Sequence, residues 1–135
     1  MYWITHRYCI VFFACLLYGH GCGDEVLKHF AARLREHIRA TDMAARIGGE
    51  EFAVLLEAAS IEDAQVWAER FRQDVATTAV VCGEVSISYS ASMGVAPLDV
   101  RLNSFEQVMQ QADSALYQAK RQGRNQVVGA QVFQN

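Results

Sequence analysis

The sequence predicts an α/β sandwich, with helices packed on a single sheet. Three observations carry that prediction. Apolar residues recur at helical spacing in three separate segments, which begin near Asp24, Ser60 and Ser104. A Gly48-Gly49 pair stands between two apolar-rich runs, residues 43–47 and 52–56, which is a hairpin signal. Between Val85 and Val95, apolar residues alternate with serines at the period of a strand that buries one face.

The first element is the apolar run at residues 8–18. It is too short for a membrane span, which takes about 20 residues. It has some features of a signal-peptide core, with His6 and Arg7 ahead of it. A buried strand is the favoured reading. Next, Val26, Leu27, Phe30, Ala31, Leu34 and Ile38 form one stripe of a helix, with Asp24 and Glu25 at its positive end and Arg35 and Arg39 toward the other. The Gly-Gly hairpin follows. Ser60-Ile61-Glu62-Asp63 reads as a capping box with Asp in place of Glu, opening a helix striped by Ala64, Trp67, Ala68, Phe71 and Val75. The serine-alternating segment is expected to form one strand ended by Pro97. A last helix from Ser104 to Gly123 buries Phe105, Val108, Met109, Ala112, Ala115, Leu116 and Ala119, and residues 126–128 suit a short final strand.

With 135 residues and 52% hydrophobic content, the chain is expected to form a single domain, 1–135, around one core. A formal net charge of −3 argues against a general nucleic-acid binder or a membrane-surface protein, both of which rely on clustered positive charge. Cys9, Cys15, Cys22 and Cys82 lack zinc-site spacing, so free thiols in a reducing cytoplasm are expected.

The chemistry concentrates around the hairpin. Alone, Gly-Gly-Glu-Glu reads as a solvated turn, although adjacent acids at such a tip can also hold a hard cation. The run Arg46-Ile47-Gly48-Gly49-Glu50-Glu51-Phe52 resembles the signature of the GGDEF family, the diguanylate cyclases, in its Gly-Gly-Glu-Glu-Phe form. Four more segments match in order. They are Tyr18-Gly19-His20-Gly21-Cys22-Gly23-Asp24-Glu25-Val26-Leu27, Ala68-Glu69-Arg70-Phe71-Arg72, Ser92-Met93-Gly94-Val95-Ala96, and the segment from Ala112 through Tyr117, Lys120 and Arg124 to Asn125. The match covers roughly residues 18–128.

The resemblance implies a mainly antiparallel central sheet flanked by helices, similar to the palm of nucleotide cyclases and polymerases. It implies that two GTP molecules, held on two facing subunits of a homodimer, are condensed into cyclic di-GMP with release of pyrophosphate. Glu50 and Glu51 are then the ligands of Mg²⁺ or Mn²⁺, Glu50 also helping to deprotonate the 3′-hydroxyl, and Gly48 and Gly49 leave room for the nucleotide. Asp24 matches the guanine-binding position, while Lys120 and Arg124 match phosphate contacts. Arg39 and Asp42 form the Arg-x-x-Asp pair of an inhibitory cyclic di-GMP site, to which Arg70 adds a second cation. The setting implied is bacterial second-messenger signalling in the cytoplasm, without nucleic acid or membrane insertion.

Ahead of Tyr18 the match fails. Counting back from Asp24, the first-strand metal-binding Asp of the family falls on Arg7, its phosphate-binding Lys on Phe12 and its guanine-contacting Asn on Cys15. A truncated or altered N-terminus is the expectation drawn from that break. It leaves a second functional expectation beside the cyclase, namely a module that binds cyclic di-GMP or GTP without catalysis.

Overall fold

The computed structural model describes residues 8–16, 23–58, 60–99 and 104–130. A strand that is apolar at successive positions needs cover on both faces, and the first run of the chain is placed accordingly. β1 (Tyr8–Leu16) lies at the centre of a five-stranded sheet ordered β2-β3-β1-β6-β7, where β2 is Met43–Gly48, β3 Glu51–Glu57, β6 Ser90–Leu98 and β7 Val127–Gly129. β1 pairs antiparallel with both β3 and β6, β2 pairs antiparallel with β3, and only the β6–β7 pairing is parallel. The sheet is thus mostly antiparallel, as the resemblance implied. Cys9, Val11 and Phe13 face helices α1 (Gly23–His37) and α2 (Ile61–Thr77), whereas Ile10 faces α3 (Phe105–Arg121).

On the two-helix face the core is aromatic. Phe13 meets Phe71 edge to face at 5.6 Å between ring centroids, Phe30 lies 5.2 Å from Phe71, and Trp67 stacks on Phe71 at 5.6 Å. A polar seam above these rings joins the two helices. Arg33 reaches Asp74 through both Nε and Nη2, His37 Nε2 lies 3.0 Å from Asp74 Oδ2, and the Trp67 indole N–H donates to the His37 carbonyl at 2.9 Å. That last bond satisfies one of the carbonyls left open at the end of α1.

The helix starts follow the expected chemistry. Ser60 Oγ accepts from the Asp63 amide, and Ser104 forms a full capping box with Gln107. α3 lies so close to β6 that a Cβ on Gly94 would fall inside contact distance of the Ala112 carbonyl oxygen and the Leu116 amide. Only glycine admits this approach.

The structure corrects several expectations. The serine-alternating segment is two strands: β5 (Val85–Ile87) pairs with β4 (Val80–Cys82) in a separate hairpin, and β6 begins at Ser90. At the break Tyr89 turns inward, 3% exposed, with its hydroxyl 2.7 Å from His29 Nδ1. Alternation persists through the bend, so the period could not reveal it. Pro97 lies within β6 rather than ending it, because β7 stops opposite Val95 and asks no hydrogen bond of position 97. Phe105 is exposed instead of buried. Cys9 is a buried free thiol, pushed up to about 11 by burial and by the nearby Asp63 and Glu62 carboxylates, but Cys82 is disulfide-bonded, against the expectation of free thiols.

Gly94→Ala is expected to destabilise the fold by about 3 kcal/mol, at the upper end for overpacking because the obstacle is helix backbone. Urea denaturation measures this directly. A second prediction concerns acid. Burial pushes the Asp74 carboxyl up, but hydrogen bonds from Arg33 and His37 outweigh it and hold the group below its ordinary value of 3.8. A carboxylate depressed in the fold stabilises above its unfolded value and loses that contribution as pH falls through the depressed one. The urea midpoints of the wild type and Asp74→Asn should therefore differ at pH 7 and 5 and converge as pH is lowered below 3.8.

Candidate functional site

Gly48 pairs with Glu51, which leaves Gly49 and Glu50 as a two-residue turn between β2 and β3. Gly49 has φ +49°, a left-handed value at which a side chain is disfavoured, and among the described residues no atom beyond the adjoining ones lies within 4 Å of where its Cβ or that of Gly48 would stand. The backbone here is open to a ligand. The turn is held from inside by Arg46, whose Nε and Nη2 donate to the Gly49 carbonyl at 3.0 and 2.7 Å. Glu50 is exposed and Glu51 half-buried, so both carboxylates are reachable from solvent.

Strand register shows which residues share this end of the sheet. Glu51 lies opposite Ala14 near the end of β1, Leu16 lies opposite Ser90 at the start of β6, and Val127 begins β7 beside Met93. The Gly-Gly turn and the α3–β7 turn therefore stand at the same end, three strand spacings or about 14 Å apart across the sheet. α1 starts after β1, and its exposed Asp24 lies in the first turn. Lys120 is half-buried in the last turn of α3 and Arg124 is exposed just beyond it. Lys120 also lines a cavity of about 840 Å³ along α3, together with Asp113, Tyr117 and Arg121. Phe12 and Cys15 are on β1, opposite Gly94 and Ala91 of β6, while Arg7 lies outside the described residues.

Arg39 and Asp42 are elsewhere. They lie beside Glu57, at the far end of β3 and roughly 20 Å along the strand from the turn. Asp42 Oδ2 accepts from the Arg39 amide at 2.8 Å and Oδ1 from the Glu57 amide at 3.0 Å, and its side chain is 0% exposed. Arg39 is 71% exposed, with Nη2 donating to the Glu57 carbonyl at 3.0 Å. The buried carboxylate thus fixes the loop, and the guanidinium is the half of the pair that meets solvent. Arg70 is exposed on α2.

Among the described residues, no group of three or more His, Cys, Asp or Glu side chains is arranged to hold a metal. Glu50 and Glu51 are a pair of adjacent, accessible carboxylates. That donor set fits Mg²⁺ or Mn²⁺ of the kind held by one or two carboxylates together with substrate phosphates and water. Three residues gained no role from sequence reasoning although each lies inside a matched segment: Arg72, Ser92 and Asn125. Arg72 Nη1 donates to Asn125 Oδ1 at 2.8 Å, and the Asn125 amide donates to Ser92 Oγ at 3.1 Å. Adjacency in space was the missing signal.

Comparison with known proteins gives a match to the family model "Diguanylate cyclase, GGDEF domain" over residues 16–126. The chain is 40% identical over 114 residues to the response regulator PleD of Caulobacter vibrioides, covering 83% of this chain and 25% of PleD. It is 39% identical over 110 residues to diguanylate cyclase A of Treponema denticola, covering 82% and 30%. The chain therefore spans between a quarter and a third of these relatives' length. Among solved structures, the GGDEF domain of DgcB from Caulobacter crescentus in complex with c-di-GMP superposes with a TM-score of 0.83 at 28% identity, covering 92% of this chain and 78% of that one.

Asp42→Ala leaves the Arg39 and Glu57 amides without their acceptor. The expected loss is about 3 kcal/mol of stability, read by urea denaturation, with a smaller loss for Asp42→Asn, which keeps one acceptor oxygen.

Proposed function

Because the chain belongs to the diguanylate cyclase GGDEF domain family, we propose that it joins two GTP molecules into cyclic di-GMP with release of pyrophosphate. The observation that carries this reading is the convergence of the Gly48–Glu51 turn, Asp24, Lys120 and Arg124 on one end of the sheet. Two copies of the domain face each other, each holding one GTP, and each 3′-oxygen attacks the α-phosphate held by the other copy. Phosphoryl transfer of this kind depends on positioning and on charge neutralisation rather than on covalent catalysis.

The residues divide that work. Asp24 accepts from the N1–H and the exocyclic amine of guanine. Lys120 and Arg124 bind oxygens of the triphosphate, Arg124 with the forked geometry suited to phosphate. Gly48 and Gly49 let the nucleotide approach the turn, and Glu50 accepts the proton leaving the 3′-hydroxyl. Glu50 and Glu51 would hold Mg²⁺ or Mn²⁺, which when bound would supply neutralisation of the charge on the transferring phosphate. The setting is cytoplasmic second-messenger signalling. No helix among the described residues is long and apolar enough to cross a membrane.

A second reading rests on its own observation. β1 carries Phe12 and Cys15 where the family pattern has a phosphate-binding Lys and a guanine-contacting Asn, whereas Arg39 is presented to solvent on a loop fixed by Asp42. In this reading the domain binds cyclic di-GMP through Arg39, with Arg70 of a second copy adding a cation, and regulates without catalysing.

Incubation with GTP and Mg²⁺, followed by chromatography, tests the first reading. Cyclic di-GMP should form, and Glu51→Gln should reduce its rate by about 10²-fold or more. Folded protein that yields no product sinks the cyclase reading. Calorimetry with cyclic di-GMP tests the second. Arg39→Ala should weaken binding by about 10-fold or more, the worth of one charge-assisted contact, and equal affinity would remove the Arg39 site.

A further inference from the structure

After α3 ends at Arg121, the chain passes through three successive left-handed residues: Gly123 at φ 118°, Arg124 at 65° and Asn125 at 49°. Arg124 and Asn125 are the only non-glycine residues with positive φ among the described residues. Two such residues in a row are disfavoured by the clash of Cβ with the backbone, and a turn of this kind persists where its surroundings over-determine it. Those surroundings can be named. The Arg124 amide donates to the Ala119 carbonyl at 2.9 Å, and the Asn125 amide donates to Oγ of the buried Ser92 on β6 at 3.1 Å.

The third brace comes from another helix. Arg72 on α2 donates from Nη1 to Asn125 Oδ1 at 2.8 Å, while its Nε and Nη2 are committed to the Glu69 carboxylate one turn earlier. Arg72 is only 17% exposed, and Glu69 holds its guanidinium in one plane, so the hydrogen bond to Asn125 arrives from a fixed direction. Asn125 is thereby held by its amide from the sheet and by its side chain from α2. Its neighbour Arg124 keeps an exposed side chain whose direction follows from that backbone.

We propose that Arg72 is a positioning residue that, through Asn125, aims the Arg124 guanidinium at the phosphates of a bound guanine nucleotide. This rests on the reading of Arg124 as a phosphate contact. Because bidentate contact demands a narrow range of approach, loosening the turn lowers phosphate affinity without removing any phosphate ligand.

The test is a double-mutant cycle on GTP affinity by calorimetry, with thermal unfolding of each variant as the check on folding. Arg72→Ala should weaken GTP about 10-fold and should have no further effect in the Arg124→Ala background. Asn125→Gly removes the same contact at a residue for which positive φ costs nothing, and it should reproduce the loss even if Arg72→Ala fails to fold. If Arg124→Ala weakens GTP but Arg72→Ala and Asn125→Gly do not, or if their losses add fully to that of Arg124→Ala, the positioning role is overturned and the phosphate reading stands. If Arg124→Ala binds GTP as the wild type does, or the wild type binds none, the phosphate reading falls and this inference falls with it.

Discussion

The rest of the fold depends on the contact of Phe71 with Phe13 and Phe30, because it fixes two helices on one face of the central strand at once. Phe13 comes from β1, Phe30 from α1 and Phe71 from α2, and all three are fully buried. Burying three aromatic side chains together removes several hundred square ångströms from water and adds edge-to-face attraction. The position of α1 sets where Asp24 stands, and the position of α2 brings Arg72 to Asn125. The placement of the helices is thus inherited from a buried aromatic cluster.

Much of this was legible in the sequence because burial and period coincide. β1 read as a strand without alternation because a central strand is covered on both faces, and α2 and α3 announced themselves through Ser60 and Ser104. What escaped were features decided by partners distant in sequence. Tyr89 leaves the strand pattern to meet His29, sixty residues away, and Pro97 is tolerated because of where β7 ends. In the candidate site, the shared end of the sheet follows from the order of elements once the strands pair. The inward turn of Asp42 and the Arg72–Asn125 contact do not, since each depends on a tertiary hydrogen bond to a residue with no neighbouring signal.

The Gly48–Glu51 turn and the Arg39–Asp42 loop are separated by the length of β3. The turn meets β3 at its start, at Glu51, and the loop that carries Asp42 is hydrogen-bonded to its end, at Glu57. An antiparallel ladder, regular where Met43 to Arg46 face Leu55 to Phe52, runs between them.

The strand that carries the turn is also the open margin of the sheet. β2 is exposed along its whole length, and Met43 and Ile47 are 68% and 50% exposed. Such a margin invites a foreign strand to add to it, the usual first step of aggregation. The register irregularity between Arg46 and Gly48, and the Arg46 cation itself, interrupt the regular pairing surface that an incoming strand needs. The arginine that shapes the turn therefore also stands where the regular pairing edge is interrupted, so the form of the Gly48–Glu51 turn and the break in that edge meet at one side chain.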